Sequence, residues 1–300
     1  MRTALPALAL CLAPGLLAAQ DVTVETAAGP VAAPVAPGTV AVFDLAALDT
    51  ISALGVPVAG VPDITPPADL DEVVAGAEIV GTLFEPDFEA LAAMGPDLIV
   101  AGGRSQTQVA PLSRIAPTLD MTIWGGDMVE QALSRLAAYG TLFEREETAA
   151  ALAEALEADL AEARAVVAGK GDALILLANG GKISAYGNDS RFGWLHTALD
   201  LPEAYAGLSA ETHGEAVSFE FVAEVDPDWI LVVDRGAAIG QDGEAAEATL
   251  DNPLVAATKA GQAGQIVYLD AAPLYLSGGG VQSMTITLGE ITRAFGAAGS

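Results

Sequence analysis

Apolar residues fall along this chain in two rhythms. Short unbroken runs, LIVA at 98–101, WILVV at 229–233 and ALILLA at 173–178, predict strands buried on both faces of a parallel sheet. Further strands are predicted at 39–43, 121–124, 182–186 and 265–269, with helices at 44–54, 127–139, 191–199 and 282–295. The second rhythm is helical. Over residues 147–167, Leu152, Leu156, Leu160 and Val167 share one stripe, acids lie opposite, and neither Gly nor Pro interrupts. That spacing predicts one long amphipathic helix in an otherwise alternating α/β chain.

The pattern repeats once. Residues 88–104 read FEALAAMGPDLIVAGGR and residues 219–235 read FEFVAEVDPDWILVVDR, in the same register without a gap. Asp87 and Ser218 are N-cap candidates for a short helix, and Pro96 and Pro227 end it and turn the chain into a strand. An arginine, Arg104 or Arg235, then emerges at the strand's C-terminal end, the edge at which open α/β sheets bind ligands. A repeat this long is no solenoid unit. It predicts two Rossmann-like lobes, at 38–141 and 169–300, joined by one long α-helix at 142–168, with a ligand cleft between them. A rigid helix of this kind limits the lobes to small relative motions.

The first 37 residues break the pattern. Arg2, an apolar run from Ala4 to Leu17 and small residues at Ala18 and Ala19 read as an export signal over 1–19, cut near 19–20. Cys11 lies inside it, too early and after Leu10 rather than a small residue, so it is not a lipoprotein cysteine. Without it the chain has no thiol. These features place the protein in a Gram-negative periplasm, soluble and not inserted in the membrane. Residues 20–37, rich in Ala, Pro and Val, are expected as a flexible leader.

Charge then narrows the chemistry. Forty acids face twelve bases, a net −28, which repels nucleic acid and anionic lipid and makes each base informative. Arg104, Arg191 and Arg235 follow strands or their connecting loops, where a planar, permanently charged fork suits an anionic ligand. The plainer alternative for each is a salt bridge near a helix end. His196 sits at helical spacing among apolar neighbours and reads as structural. His213 lies in a polar, glycine-containing loop, and Tyr275 precedes the run Gly278–Gly279–Gly280. A phenolate is a strong ligand for Fe(III), and an imidazole can complete its shell. No nucleophile elbow, Walker-type loop or His-Glu-x-x-His pattern is present.

Together the stretches FDLAALDTISALGVPVAGVP, GTLFEPDFEALAAMGPDLIVAGGRS, NDSRFGWLH, THGEAVSFEF, DPDWILVVDRGAAIG, LDNPLVAATKA and IVYLDAAPLYLSGGG resemble periplasmic siderophore-binding proteins of ABC importers over residues 38–296. The subgroup they resemble is the ferric-catecholate binders. The resemblance implies two lobes bridged by one helix and a monomer without enzymatic activity or intrinsic cofactor. It also implies capture of an anionic Fe(III)–siderophore and delivery to an inner-membrane ABC permease. It makes Arg104, Arg191 and Arg235 the basic pocket, His213 and Tyr275 direct iron ligands, and Glu89 and Glu220 the permease-docking glutamates. Those glutamates also sit where a helix dipole favours a negative charge. A ferric hydroxamate or citrate, haem or a corrinoid are the alternative ligands. A secreted enzyme on a Rossmann-like scaffold and a metal-storage or adhesion protein are the alternatives in other classes.

Overall fold

The structure, a computed structural model, describes residues 21–208 and 213–297. The expected export signal at 1–19 lies outside them. Two five-stranded sheets dominate. The first comprises β3 (Val40–Val42), β4 (Gly60–Val61), β5 (Glu78–Ile79), β6 (Leu98–Ala101) and β7 (Thr118–Asp120). Its order is β5-β4-β3-β6-β7 and every pair is parallel. The second comprises β8 (Ala173–Asn179), β9 (Lys182–Tyr186), β10 (Glu215–Val217), β11 (Trp229–Asp234) and β12 (Ile266–Tyr268), in the order β10-β9-β8-β11-β12. Here β9 runs antiparallel to both neighbours. Gly180 and Gly181, both at positive φ, form the two-residue turn that pairs Asn179 with Lys182. A tight hairpin of that kind needs left-handed residues at both centres.

Eight helices carry the argument: α1 (Leu45–Ala53), α2 (Phe88–Met94), α3 (Met128–Leu142), α4 (Glu146–Val167), α5 (Phe219–Val225), α6 (Arg235–Ala238), α7 (Ala271–Leu276) and α8 (Val281–Ala297). The sequence repeat is a structural one. Asp87 caps α2 by accepting from the amides of Glu89 and Ala90, and Ser218 caps α5 by accepting from Phe221. Both helices end on a left-handed residue, Gly95 (φ 62°) and Asp226 (φ 49°). Asp226 is held there through its carboxylate, which accepts the Lys259 amide at 2.8 Å. The strands that follow, β6 and β11, occupy the same slot beside the central strand of their sheets. The strand order therefore reverses at β3/β6 in one lobe and at β8/β11 in the other, and these crevices are where such sheets admit ligands.

One continuous core runs through both lobes, from Val24 and Leu48 through Leu136, Leu156 and Leu160 to Trp229, Met284 and Phe295. The α4 helix links the sheets and buries Leu156, Leu160, Ala163 and Val167. The α8 helix packs on both α4 and α1, and the Phe295 ring stacks on Trp229 at 3.8 Å. Two smaller apolar clusters line the outer faces of the sheets. A second tie joins the lobes. Asp49 of α1, fully buried, accepts the amides of Gln282 (2.8 Å) and Ser283 (2.9 Å) and the Ser283 hydroxyl (2.7 Å) at the start of α8. Gly280 is the close neighbour that makes room, because a β-carbon there would collide with the Asp49 carboxylate.

The structure corrects three expectations. Residues 20–37 are not a flexible leader: β1 (Asp21–Thr26) and β2 (Gly29–Pro34) form an antiparallel hairpin. It is anchored by burial of Val24 and Ala33, by Ala27 N–H donating to Asp120 O (2.8 Å) and by Arg135 donating to Glu25 O (2.9 Å). The strand expected at 121–124 lies at β7 instead, and 122–127 is an irregular loop. Of the helix expected at 191–199, only Trp194–Thr197 is helical, because residues 187–193 fold back on Gly187 O through Ser190. Tyr275, ahead of the glycine run, sits on α7.

Candidate functional site

A cleft of about 1020 Å³ opens between the lobes at the two sheet edges. Arg104, Arg191, Arg235, His213 and Tyr275 all line it. Glu89 and Glu220 do not. They stand exposed on the first turns of α2 and α5, one per lobe. The Glu220 carboxyl is held below the usual carboxylate range by its own backbone amide and the Ser218 hydroxyl.

Each arginine is delivered by local chain geometry. Gly102 lets the chain leave β6, since a β-carbon there would lie 2.7 Å from both the Asp44 carboxylate and the Thr122 amide nitrogen. The Gly102 amide then donates to Ser105 Oγ (3.0 Å), closing the turn that presents Arg104. Arg235 is the first residue of α6, whose N-cap Asp234 accepts from Ala237 (3.0 Å) and also from Ala246 (2.7 Å). Arg191 leaves the 187–193 turn described above.

The three guanidiniums converge on Tyr275. Arg104 crosses from the first lobe and donates to Tyr275 O (2.8 Å) and Leu276 O (3.2 Å). Arg191 donates to the same Tyr275 carbonyl at 2.5 Å. Both guanidinium carbons also lie against the Tyr275 ring, at 4.9 and 4.4 Å from its centroid. One carbonyl therefore holds two like charges together, and a ring quadrupole faces both. Burial and the neighbouring Arg104 push Arg191 down to about 10. Burial alone would raise the Tyr275 phenol, but Arg191, Arg235 and Arg104 outweigh it and hold the phenol below its ordinary value. That favours the phenolate, the form that binds a hard cation. Arg235 keeps looser partners, Asn179 Oδ1 at 3.4 Å and Gln241 Oε1 at 3.5 Å.

His213 is exposed and lines the cleft. Its neighbour Gly214 is at φ +69° with its α-carbon against the Tyr186 ring, which is itself buried and packed on Phe192 at 4.7 Å. A β-carbon at 214 would approach that ring to 2.6 Å. No side chain fits, so Tyr186 and Gly214 set where His213 stands. His196 is buried in the core, its Nδ1 against Leu201 O at 3.0 Å.

Sequence reasoning missed three groups in the cleft. Asp44, the N-cap of α1, is buried at the cleft wall, and burial pushes its carboxyl up to about 6 despite the amide of Ala47 and the charge of Arg104. Its signal was its place at the end of β3, the sheet edge already singled out for Arg104. Phe84 and Trp124 line the first-lobe side and remain 62% and 42% exposed. Trp124 was hidden by reading 121–124 as a strand.

Comparison with known proteins gives one consistent result. Residues 40–273 match the family described as periplasmic binding protein. The petrobactin-binding protein YclQ of Bacillus subtilis is 34% identical over 262 residues, covering 85% of this chain and 81% of that one. Its crystal structure superposes with a TM-score of 0.87 at 32% identity, covering 92% of this chain and 99% of that one. The catecholate-siderophore binding protein VctP of Vibrio cholerae superposes with a TM-score of 0.83 at 29% identity, covering 91% and 100%. The siderophore-binding protein BauB, solved with two acinetobactin molecules and ferric iron, gives 0.84 at 28% identity, covering 92% and 99%.

Proposed function

Because the chain belongs to the periplasmic binding protein family, we propose that it is the substrate-binding component of an ABC importer that captures an anionic Fe(III)–siderophore. The observation that carries this is the convergence of Arg104, Arg191 and Arg235 with His213 and Tyr275 in one interlobe cleft, within a chain of net charge −28. At long range such a surface repels an anion, so attraction acts at short range, inside a cleft with low-dielectric walls. The names of the relatives, binders of petrobactin, catecholate siderophores and a ferric acinetobactin complex, support the same ligand class.

Capture involves no bond-making beyond coordination. The arginines neutralise the chelate, with Arg191 and Arg104 already oriented by the Tyr275 carbonyl. Tyr275, its phenol lowered by three guanidiniums, and His213 complete the iron shell when the siderophore offers fewer than six donors. Fe(III) is cargo here and not a resident cofactor. Glu89 and Glu220, exposed on matching helix turns of the two lobes, dock on the permease, and the protein acts as a monomer. Export through the 1–19 segment, with cleavage near 19–20, brings the chain to the periplasm.

The test is a comparison of ferric catecholates of different denticity. His213→Ala should weaken a four-donor complex at least about tenfold and leave a six-donor complex within about twofold. Equal loss for both would remove His213 from the iron shell. Absence of binding to any ferric chelate by the wild type would overturn the function itself.

A further inference from the structure

The second lobe carries another pocket, apart from the interlobe cleft. It has a volume of about 320 Å³ and lies between the short helix Trp194–Thr197 and the segment that follows it, beside the 187–193 turn. None of its lining residues lines the cleft. One of them is His196, which is 5% exposed. Its tautomer is fixed by a neighbour: Nδ1 lies 3.0 Å from Leu201 O, which can only accept, so Nδ1 carries the proton. Burial holds the imidazole below its ordinary value, against Leu201 O and the charge of Glu203, so the ring is neutral and Nε2 keeps a lone pair. No described residue donates to Nε2, and the atom is not sealed off, so the pocket reaches an unpartnered acceptor.

The rest of the lining is rich in acceptors too. Glu203 Oε1 accepts the Asn188 amide at 2.8 Å, which leaves Oε2 open among the described residues. Gly187 gives that carboxylate its place, since a β-carbon there would lie 3.0 Å from Oε1. The backbone around Glu203 is pinned to β8, with Ala173 N–H donating to Pro202 O (2.9 Å) and Ala204 N–H to Ala173 O (2.9 Å). Thr197 spends its hydroxyl proton on Gly126 O at 2.5 Å and keeps its oxygen lone pairs. The charges do not balance. Asp200 has Arg164 at 3.7 Å, while Glu203 makes no ion pair among the described residues. No Lys or Arg lines the pocket. A carboxylate and a buried lone pair fixed in this way are set for a donor, because little ordering remains to be done on contact.

We propose that this pocket is a second binding site, one that takes a small primary ammonium ion. It stands independently of the capture function above. An ammonium brings three N–H donors, and the lining supplies three acceptors for them: His196 Nε2, Glu203 Oε2 and Thr197 Oγ1. Its single positive charge balances Glu203, and a donor–acceptor pair in which both partners are ionised is the stronger kind. Leu201 and Pro202 add apolar surface for a short alkyl chain. A metal ion suits the pocket less well, because no three imidazole or carboxylate groups among the described residues are spaced to hold one.

The chain has two histidines, so His196 reports on its own pocket by proton NMR, with His213→Ala used to assign the two sets of imidazole signals. The whole mature chain is titrated at constant ionic strength with n-butylammonium chloride. Tetramethylammonium chloride is the control, of equal charge but without an N–H donor. It is needed because a chain of net charge −28 attracts any cation. Butylammonium should move the His196 signals saturably, with a Kd of about 1–10 mM, the range open to a ligand of so few atoms. The His213 signals should stay in place, and tetramethylammonium should move neither set. Glu203→Gln keeps an acceptor for the Asn188 amide and removes the charge, so it should weaken butylammonium about tenfold. No saturable shift of His196, an equal shift with tetramethylammonium, or unchanged affinity in Glu203→Gln overturns the site. Thermal unfolding of Glu203→Gln separates a binding loss from a folding defect.

Discussion

The buried carboxylate of Asp49 is the sharpest place to test whether the two lobes form one unit. Asp49→Ala strands the amides of Gln282 and Ser283, while the Ser283 hydroxyl keeps Ser277 Oγ at 2.6 Å. A buried donor left without a partner costs ~1–3 kcal/mol. Two such amides, partly relieved by water entering the space, make a loss of ~3 kcal/mol, which in a chain of this size lowers Tm by roughly 5–10 °C. The pH dependence gives a second, independent sign. Burial pushes Asp49 up to about 7, against the hydrogen bonds from Ser283 and Gln282 that favour its charged form. The folded chain therefore binds this proton more tightly than the unfolded one, so its contribution is fully present at acidic pH. It is lost as pH rises from the ordinary carboxylate range through about 7. The variant lacks that term. Thermal melts of wild type and Asp49→Ala should thus differ most below about pH 4, and the gap should narrow as pH rises through about 7. A Tm fall below about 2 °C, or a gap that widens with pH, would refute the assignment of Asp49 as a buried interlobe clasp.

Two further perturbations probe the site. Gly214→Ala drives a β-carbon into the Tyr186 ring at a backbone φ of +69°; moving His213 with it, the change should mimic His213→Ala with a four-donor ferric catecholate and spare a six-donor one, as read by calorimetry. Arg235→Ala removes the side-chain hydrogen bond through which Arg235 helps hold the Tyr275 phenol down, so ultraviolet difference titration against Tyr275→Phe should show the Tyr275 transition move to higher pH; an unmoved transition would mean that the guanidinium does not reach the phenol.

Much of the fold was legible because it is written in local patterns. From Asp87 to Arg104 and from Ser218 to Arg235, eighteen consecutive residues encode a cap, a helix, a turn and a buried strand, and all four recur in both lobes. The α4 helix follows from a stripe that needs no tertiary partner to be recognised. The hairpin at 21–34 was lost because Ala and Pro dominate its composition, although Val22 and Val24 alternate with polar residues and Gly29, at φ +103°, supplies its turn. The same limit hid Trp124 and the Asp49 clasp. A loop that leaves the sheet four residues early, and an acid that reaches a partner more than 230 positions away, depend on packing that no local period records.

The site residues divide along the same line. Arg104 and Arg235 were visible as strand-end arginines, because the chain itself states where a strand stops. What the sequence could not state is that Arg104 spends its donors on the opposite lobe, at the carbonyls of Tyr275 and Leu276. This contact has a mechanical consequence. The lobes are tied by α4, by the shared core, by Asp49 at the head of α8 and by Arg104 at the cleft itself. Three of these ties lie in the protein interior and survive any event in the cleft. Only the Arg104 contact lies where a chelate would sit, and an anionic oxygen is a stronger partner for a guanidinium than a neutral carbonyl. Exchange of one for the other needs a side-chain movement, not a domain closure. A cleft built in this way presents a preset array of charges, and relative motion of the lobes is confined to the small shear that a continuous core allows.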